Sequence, residues 1–454
     1  MESAEQNRAL TQVGRGTPMG ELMRRYWQPF AAAVDLADKW TQKVRLLGED
    51  LVLFRDRQGG LGLIAEHCPH RRASFAHGIP TERGIRCPYH GWEFNAAGHC
   101  LHQPFEADNA TFRNKVATDA YPVQALGGVL FAYMGPITAE HPAPVLPRFD
   151  GFVAEGAIRI MGRVVLPVNW LQIMENSLDP VHTEWLHGHQ YEFQKNHGSP
   201  QADALQRSPP AGLEPPGAAR APQQGVKVAI STRHEKIDFR EFEFGITKHR
   251  LLAGHSEDSD DWRIGHPIVF PNMLAVGNGD PMARYHSFQM RVPVDDEHTL
   301  HLWYNAYIPP AGAVVPAHLR AKVHTYDVPY RDDKGGFIMD NIDGQDMMAW
   351  VTQGAVADRS RENLAASDKG VAMYRRVLKR EMKKVQDGLD PMGLLRDPTR
   401  TGRIDLPTET KKHHNSDGFA AFMLRTHAKY SPIAAELVQV YEGQHAPQLT
   451  EQAP

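Results

Sequence analysis

The chain has 454 residues, of which 41% are hydrophobic and 23% are charged, a composition typical of a globular protein with room for two substantial cores. Its net charge of -4 excludes a general attraction to nucleic acid or to an anionic membrane surface. The polar N-terminus, the lack of a long apolar run and the presence of only three cysteines predict a cytoplasmic protein without a signal peptide, a membrane span or a disulfide framework.

The first part of the chain is predicted to form a small all-β domain. We expect residues 1–26 to form a helical segment, with a short helix over 20–27, and residues 27–140 to form the domain itself. Apolar and polar residues alternate on both sides of a turn, which predicts a hairpin over 43–53. Two further strand-like runs lie at 61–65 and 127–134.

A second domain is predicted over residues 148–387, after a proline-rich linker at 142–147. Apolar residues at helical spacing predict a helix within 168–186. Several later runs alternate with period two, which favours an antiparallel sheet with one buried face. These runs lie at 226–231, 239–246, 262–270, 283–292 and 299–308. Helices are expected again at 371–386 and 432–441.

Two segments fall outside this framework. The six prolines between 198 and 222 exclude a helix or a central strand there. We expect either a loop near the mouth of a pocket or a plain surface insertion. Residues 388–454 form a C-terminal extension, whose first part, to about residue 430, is a candidate for a subdomain that faces the substrate.

Two short clusters of cysteine and histidine carry most of the chemistry. Cys68 and His70 are separated by one residue, Cys87 and His90 by two, and sixteen residues lie between the clusters. Two thiolates and two imidazoles can hold one zinc ion or the two irons of a Rieske [2Fe–2S] cluster. Zinc sites of this composition usually pair like with like, whereas here each cluster supplies one cysteine and one histidine. The spacing therefore favours the iron–sulfur site over a structural zinc ion.

This stretch resembles a Rieske domain, whose pattern is Cys-x-His, a spacer, and Cys-x-x-His-Gly, and it matches that pattern through Gly91. Respiratory Rieske proteins carry an additional cysteine in each loop. The remaining cysteine, Cys100, lies outside both clusters, so the resemblance is to the Rieske domains of soluble oxygenases and their ferredoxins. Cys100 itself is expected to be a small buried side chain.

A second metal site is predicted where Asn176, Asp179, His182 and His187 form the pattern N-x-x-D-x-x-H-x4-H. Two imidazoles and one carboxylate make the facial triad that binds ferrous iron and leaves positions open for oxygen and substrate. Two residues five apart lie roughly 140° apart on a straight α-helix, so the helix must be irregular for both rings to face one ion. Three residues before His182, the Asp179 carboxylate is expected to accept the hydrogen bond of its second ring nitrogen.

With both sites present, the chain resembles the terminal oxygenase component of the Rieske non-haem iron aromatic oxygenases over nearly its whole length. The resemblance implies an α+β protein, in which an all-β Rieske domain precedes a helix-grip domain, an antiparallel sheet around a long helix. It implies that Asp179 bridges the two centres and that Asn176 lies near the iron. Among Asp340, Asp343 and Asp346, the phthalate-dioxygenase-like branch favours Asp346 as the third iron ligand.

The family resemblance also implies the partners and the reaction. It predicts a [2Fe–2S] cluster, a mononuclear Fe(II), a head-to-tail homotrimer, and electrons from NADH through a separate reductase, with or without a ferredoxin. In the trimer His90 of one subunit meets Asp179 of the next. The expected substrates are O2 and an aromatic acid, and O-demethylation of a lignin-derived methoxylated acid, such as the biaryl 5,5'-dehydrodivanillate, is favoured. Dihydroxylation of a phthalate-type acid, an electron-transfer protein without oxygenase activity, and a zinc-stabilised binding protein remain the alternatives.

Overall fold

The computed structural model describes residues 2–106, 110–196, 231–410 and 418–443. Three small sheets come first along the chain, and one large sheet follows. The strands, in chain order, are Trp27–Ala32 (β1), Thr41–Leu46 (β2), Glu49–Arg55 (β3), Leu61–Ala65 (β4), Ile79–Pro80 (β5), Ile85–Arg86 (β6), Glu93–Phe94 (β7), Cys100–His102 (β8), Ala120–Tyr121 (β9), Val123–Leu126 (β10), Val129–Tyr133 (β11), Ile158–Leu166 (β12), His234–Phe242 (β13), Gly245–Leu252 (β14), His266–Val269 (β15), Met273–Asn278 (β16), Tyr285–Pro293 (β17), Thr299–Tyr307 (β18) and Val323–Asp327 (β19).

Helices connect and cover these sheets. They are Ala4–Thr11, Pro18–Met23, Ala110–Arg113, Asp150–Val153, Trp170–Ser177 (the Trp170 helix), Gln190–Asn196, Asp260–Arg263, Ala317–Arg320, Ile342–Thr352 (the Asp346 helix), Lys369–Gln386 (the long helix), Phe419–Leu424 and Ala434–Glu442. A π-helix spans Thr183–His189. In the described part of the chain, no helix combines the length and the apolar character that crossing a membrane requires.

The hairpin predicted over 43–53 is present as β2 and β3. The last pair of its ladder is Leu46 opposite Glu49. The turn consists of Leu47 and Gly48, whose φ angles are both positive, at 49° and 78°. A two-residue hairpin turn with this twist requires positive φ at both central positions, so the glycine is needed where the sequence places it.

The two cysteine–histidine loops lie at one end of the first domain. The first loop lies between β4 and β5, and the second connects β6 to β7 in the four-stranded sheet β5-β6-β7-β8. Buried side chains pack beneath both loops and form a small core of their own. These side chains are Val52, Phe54, Ile64, Phe75, Ile85, Trp92 and Phe94, together with all three cysteines.

The large sheet has eight strands in the order β13-β14-β15-β16-β17-β18-β12-β19. Its pairs are antiparallel except at one edge, where β19 runs parallel to β12. The predicted antiparallel sheet is therefore present, with one parallel edge strand. The expectation of one buried face is wrong, because β17 and β18 are buried on both faces by the elements that cover the sheet. Together with the all-β first domain and the covering helices, the large sheet makes an α+β protein of the expected class.

The two faces of the large sheet contact different parts of the molecule. On one face, Phe288 and Tyr304 pack against Phe152, which follows the linker between the domains. The opposite face packs against the Trp170 helix and the Asp346 helix, where His301 stacks on Trp350. This second face, the helix-covered face, therefore lines the space in which the predicted iron site lies.

Several boundaries differ from the sequence-based expectations. The run 239–246 contains the end of β13, a turn and the start of β14, because a glycine at 245 lets the chain pass closely beside the Ile268 carbonyl. The run 262–270 begins with the end of a short helix before β15 starts. The helix expected over 20–27 is Pro18–Met23. The insertion at 198–222 and all but the last residue of the run 226–231 lie outside the described residues.

Candidate metal centres

The first cysteine–histidine loop is closed by two hydrogen bonds around Cys68. The Cys68 N–H donates to the Ala73 carbonyl at 2.9 Å, and the Arg72 N–H donates to the Cys68 carbonyl, also at 2.9 Å. Arg72 adopts a φ of 64°, which is uncommon for a residue with a side chain. The tight turn brings the cysteine and His70, two residues on, to the same end of the loop.

The second loop repeats this geometry around Cys87. The Cys87 N–H donates to the Trp92 carbonyl at 2.8 Å, and the Gly91 N–H donates to the Cys87 carbonyl at 3.0 Å. Gly91, four residues after the cysteine like Arg72 in the first loop, has a φ of 75°. Both loops therefore present one cysteine and one histidine from the same kind of turn, which is the arrangement that a cluster held between two matching loops requires.

The thiols and the imidazoles occupy different depths. Cys68 and Cys87 are buried, whereas His70 and His90 are partly exposed, with ring centroids 4.5 Å apart. Trp92 stacks on the His70 ring at 4.4 Å, with only 5° between the ring planes. The loops thus form a buried pair of sulfur donors below a more exposed pair of nitrogen donors.

This donor set fits two irons better than one zinc ion. Within the described residues, groups of three or more histidine, cysteine or carboxylate donors converge to within 4.8 Å at two places, and neither place is in these loops. Four ligands of a single zinc ion would have to surround one point. Burial raises the pKa of the Cys68 thiol to about 12, and the adjacent Cys87 adds to this effect, so the thiolate form needs a cation such as iron beside it.

The second centre depends on an irregular helix, as the five-residue spacing of its histidines predicts. The π-helix begins directly after His182 and contains His187. At its C-terminal end the Gln190 N–H donates to the Trp185 carbonyl, five residues back, as the wider π-helical turn requires. The wider turn brings the rings of His182 and His187 to the same side, with centroids 5.2 Å apart.

Asp346 completes a compact triad with the two histidines. Its Oδ1 atom lies 3.2 Å from Nε2 of His187 and 3.6 Å from Nε2 of His182. Donor atoms of the three side chains lie within 4.8 Å of one another. Two imidazoles and one carboxylate on one side of a position are the donor set of the ferrous facial triad.

The second ring nitrogen of each histidine is hydrogen-bonded. Nδ1 of His187 donates to Oε1 of Gln345 at 2.8 Å, and Nδ1 of His182 donates to the main-chain carbonyl of Asp179. With a proton on Nδ1, each ring directs the lone pair of Nε2 towards Asp346, as a metal ligand must. The residues present therefore fit a mononuclear iron both in donor type and in ring orientation.

Electrostatics at the triad favour a neutral His182. Burial lowers the pKa of His182 to about 4, so its ring is unprotonated at neutral pH. Burial also acts to lower the pKa of His187, but the charge and the hydrogen bond of Asp346, together with Gln345 and Asp343, outweigh it and the pKa rises. The same contact lowers the pKa of Asp346 despite its burial, so this carboxylate is ionised and available to a cation.

The remaining residues of the predicted site are placed as follows. The Asp179 carboxylate lies 3.8 Å from Nδ1 of His182 and accepts the Val181 N–H at 2.9 Å instead. The expected hydrogen bond to the imidazole thus comes from the main chain of Asp179. Asn176 lies half-buried in the last turn of the Trp170 helix.

Of the three aspartates that competed for the third position, Asp346 is the one that joins the histidines. Asp343 is buried and accepts the His427 N–H at 2.6 Å. Asp340 accepts hydrogen bonds from Asn341 and Lys429. Both are therefore engaged away from the triad.

Sequence reasoning missed two residues beside this centre. Gln345, which hydrogen-bonds to His187, directly precedes Asp346 in the sequence. This adjacency was the one signal that could have identified Gln345. Lys248 lies on β14, on the helix-covered face of the sheet, and is 7% exposed. Nothing in its sequence neighbourhood distinguished it from a solvated lysine.

Comparison with known proteins agrees with a Rieske domain followed by an oxygenase domain. Residues 26–118 match the Rieske [2Fe-2S] domain family, and residues 332–402, which include Asp346, match the family described as LigXa C-terminal domain like. The chain is 40% identical over 413 residues to the 5,5'-dehydrodivanillate O-demethylase oxygenase subunit of Sphingobium sp. (strain NBRC 103272 / SYK-6), an alignment covering 90% of this chain and 87% of that protein.

Two further matches extend the comparison. The phenoxybenzoate dioxygenase subunit alpha of Ectopseudomonas oleovorans is 32% identical, with 85% of this chain and 87% of that protein covered. The solved structure of Pseudomonas putida CBB5 NdmA with caffeine has the same fold, with a TM-score of 0.55 at 15% identity, covering 87% of this chain and all of that one. The chain therefore belongs to the Rieske non-haem iron aromatic oxygenases, as a terminal oxygenase component of the phthalate-dioxygenase-like branch.

Proposed function

We propose that this oxygenase O-demethylates a lignin-derived methoxylated aromatic acid, with the biaryl 5,5'-dehydrodivanillate as the first candidate substrate. The convergence of His182, His187 and Asp346 within 4.8 Å is the observation that carries the oxygenase chemistry. The choice of reaction is supported by the relative of 40% identity, whose name is that of an O-demethylase acting on this biaryl acid.

The proposed reaction balances as a monooxygenation. One atom of O2 enters a C–H bond of the methoxy carbon, and the other is reduced to water with two electrons and two protons. The product ArO–CH2–OH then breaks the bond between its CH2 carbon and the aryl oxygen, which releases formaldehyde and a phenol. The oxygen of the new phenol is therefore the oxygen of the original ether.

When bound, the mononuclear ferrous ion supplies the open coordination positions at which O2 is activated beside the substrate. The protein's part is to hold that ion from one side only. His182, His187 and Asp346 occupy that side, and Gln345 and the Asp179 carbonyl keep the two rings in the ligating tautomer. The substrate then approaches from the opposite side, in the space against the helix-covered face of the sheet.

We further propose that the electrons come from a cluster held by the two cysteine–histidine loops of a neighbouring subunit in a head-to-tail homotrimer. In this arrangement His90 of one subunit lies against Asp179 of the next, and Asp179 contacts His182. Exposed aromatic side chains beside each centre support it, since Tyr89 is 55% exposed and Trp185 is 62% exposed. A heterologous contact of this kind closes naturally into a ring.

NADH would supply these electrons through a separate reductase, with or without a ferredoxin, that would dock at the two cysteine–histidine loops. The sequence contains neither a GxGxxG fingerprint for a dinucleotide nor a further cysteine-rich cluster motif. The names of the relatives support a reductase on a separate chain, because they describe these proteins as subunits of larger enzymes.

Cis-dihydroxylation of a phthalate-type or related aromatic acid is the second candidate. The relatives of 32% and 29% identity, a phenoxybenzoate dioxygenase subunit and a phthalate 4,5-dioxygenase oxygenase subunit, favour it. The same triad serves either outcome, because the position of the substrate decides which carbon lies nearest to the activated oxygen.

Substrate-dependent oxygen uptake, measured with NADH and a compatible reductase over methoxylated aromatic acids and phthalates, tests this proposal. O-demethylation predicts one formaldehyde and one phenol for each O2 consumed with a methoxylated acid. Oxygen uptake that yields a cis-diol and no formaldehyde would replace it with ring dihydroxylation.

A further inference from the structure

The helix-covered face of the sheet carries an unusual concentration of positive charge next to the triad. Lys248 and Arg250 alternate on β14 so that both side chains leave the same face, which they share with Ile246 of the core. Arg291, on β17, lies on the same face. Cross-strand pairs link Ile246 to Ile268, Ile268 to Leu274, and Leu274 to Gln289. Arg291 is two residues after Gln289 on the same strand, so the two side chains share that face.

These three cations differ in how they are compensated. Arg250 has its own counterion, because its guanidinium donates to the buried Asp261 at 3.0 Å. Lys248 has none: it is 7% exposed, and no described residue makes a hydrogen bond or an ion pair with its amino group. A buried amine without a partner among the described residues is costly, which marks Lys248 as a candidate to pair with a bound anion.

Arg291 is also only partly satisfied. It is 1% exposed, and its two terminal nitrogens donate to the main-chain and side-chain oxygens of Gln289, both at 2.8 Å. Its Nε has no hydrogen-bond partner among the described residues, and neither do the two ring nitrogens of His301, which lies directly opposite on β18. The helix-covered face thus carries several buried polar atoms that no described residue satisfies.

Besides Asp261, three carboxylates in or near the iron site act on Lys248 and Arg291. The carboxylates that act on Lys248 are Asp179 and Asp346, and those that act on Arg291 are Asp346 and Asp343. Burial and, next, the charge of Arg250 lower the pKa of Lys248 to about 7, although Asp179 and Asp346 act to raise it. Asp346 would be a ligand of the iron, which would offset its charge, so that these cations would be left with less negative charge to balance them.

We propose that Lys248 binds the carboxylate of the aromatic acid substrate, and that Arg291 supplies a second positive charge that selects anionic rings over neutral ones. This assignment rests on the proposed function, which makes the substrate an aromatic acid. The carboxylate completes the hydrogen bonding of the lysine and fixes the ring relative to the triad, so that the methoxy carbon rather than a ring carbon meets the activated oxygen. Lys248 is thus a specificity-determining residue.

The test compares Lys248→Met with Lys248→Arg and with a matched control, Lys236→Met. The control removes an exposed lysine of β13, the strand next to β14, that pairs with Glu257. Anaerobic binding of 5,5'-dehydrodivanillate and of its neutral dimethyl ester to the loaded enzyme is measured by calorimetry. We expect Lys248→Met to weaken binding of the acid by about 10- to 100-fold and to leave binding of the ester unchanged. Lys248→Arg should restore most of the acid affinity, and Lys236→Met should bind like the wild type.

Equal weakening of acid and ester, or unchanged acid binding, would overturn the assignment of Lys248. Absorption of the Rieske cluster in each variant shows that the fold is intact. The assignment and the proposed reaction fail separately. If the acid requires Lys248 for binding but yields no formaldehyde, the reaction is wrong; if formaldehyde forms and Lys248→Met still prefers the acid, the lysine is not the anchor.

Discussion

Oε1 of Gln345 lies 2.8 Å from Nδ1 of His187, so the residue before Asp346 fixes the ring whose other nitrogen faces Asp346. Asp346 Oδ1 lies 3.2 Å from Nε2 of that ring. Two consecutive residues of one helix therefore hold both nitrogens of a single imidazole. Gln345 is itself held, because its amide donates to the Met339 carbonyl at 3.2 Å.

Replacing Gln345 with leucine should weaken mononuclear iron without disturbing the cluster. The variant removes the acceptor but keeps the side-chain volume, and loss of a hydrogen bond behind a ligand typically lowers metal affinity by about 10- to 100-fold. Iron retained per chain in competition with a chelator measures the effect. Gln345→Glu, which keeps an acceptor, and Gln353→Leu, at the exposed end of the same helix, should retain iron. Wild-type affinity in Gln345→Leu would show that the ring is oriented by other contacts.

His182→Ala should abolish turnover and remove the mononuclear iron while leaving the Rieske cluster in place. His182 contributes one of the three donors that converge at the second centre, and it is remote in sequence from the cluster loops. Iron and acid-labile sulfide content, with the EPR signal of the reduced cluster, separate the two centres. His189→Ala, an exposed histidine of the same π-helix, is the control. Full activity in His182→Ala would leave the chain as an electron carrier.

The Asp179→Asn variant separates two roles of Asp179. One is to hold the His182 ring as an iron ligand, and the other is to pass an electron between the two centres. Because the main-chain carbonyl of Asp179 accepts the His182 hydrogen bond, the variant should keep its iron. If the carboxylate bridges the centres of neighbouring subunits, product formed in a single turnover by the prereduced enzyme should fall at least about 10-fold. Cluster reduction by the reductase should be unchanged. Full single-turnover activity together with full cluster reduction would exclude the bridge.

Glu175 should contribute strongly to stability through a buried ion-pair network. It accepts hydrogen bonds from Arg359 at 2.8 Å and from Arg375, on the long helix, at 2.6 Å. Glu175→Gln removes the counter-charge of the buried Arg359 and leaves the buried Arg375 only its pair with Glu362. It should therefore lower the free energy of unfolding by roughly 3–5 kcal/mol. Glu241→Gln, which breaks an exposed pair with Arg380, should cost about 1 kcal/mol or less. Urea denaturation of both variants measures the difference, and equal losses would contradict this role.

The same network predicts a pH dependence. Burial alone would raise the pKa of Glu175, but the charges of Arg359 and Arg375 outweigh it and the pKa is lowered. A carboxyl group whose pKa is lower in the folded state stabilises the fold above its unfolded pKa, and this stability is lost as pH falls through the folded value. The gap between wild type and Glu175→Gln should therefore be full at neutral pH and narrow in acid. A gap that does not change with pH would contradict the assignment.

Features encoded over short stretches could be read from the sequence. Each cluster loop is complete within a few residues. The five-residue spacing of His182 and His187 by itself requires an irregular helix, and the structure has a π-helix there. The turn at Gly48 is likewise local, because positive φ favours glycine at that position.

Features that depend on long-range packing could not be read in the same way. Asp340, Asp343 and Asp346 are chemically equal and adjacent, and only the tertiary fold brings one of them to the histidines. The burial of β14 on both faces depends on the elements that pack against it, so Lys248 had the sequence signature of a solvated lysine. The sequence could not show whether the main-chain carbonyl or the carboxylate of Asp179 accepts the His182 hydrogen bond, because both lie within reach of the same ring.

The most direct measurement follows the oxygen atoms of a single reaction under 18O2 with 5,5'-dehydrodivanillate, NADH and a compatible reductase. Oxidation at the methoxy carbon predicts one formaldehyde per O2 consumed and a new phenol without 18O, because the aryl–oxygen bond is never broken. An 18O label in a ring hydroxyl group, with no formaldehyde, would show attack on the ring and contradict the O-demethylase account.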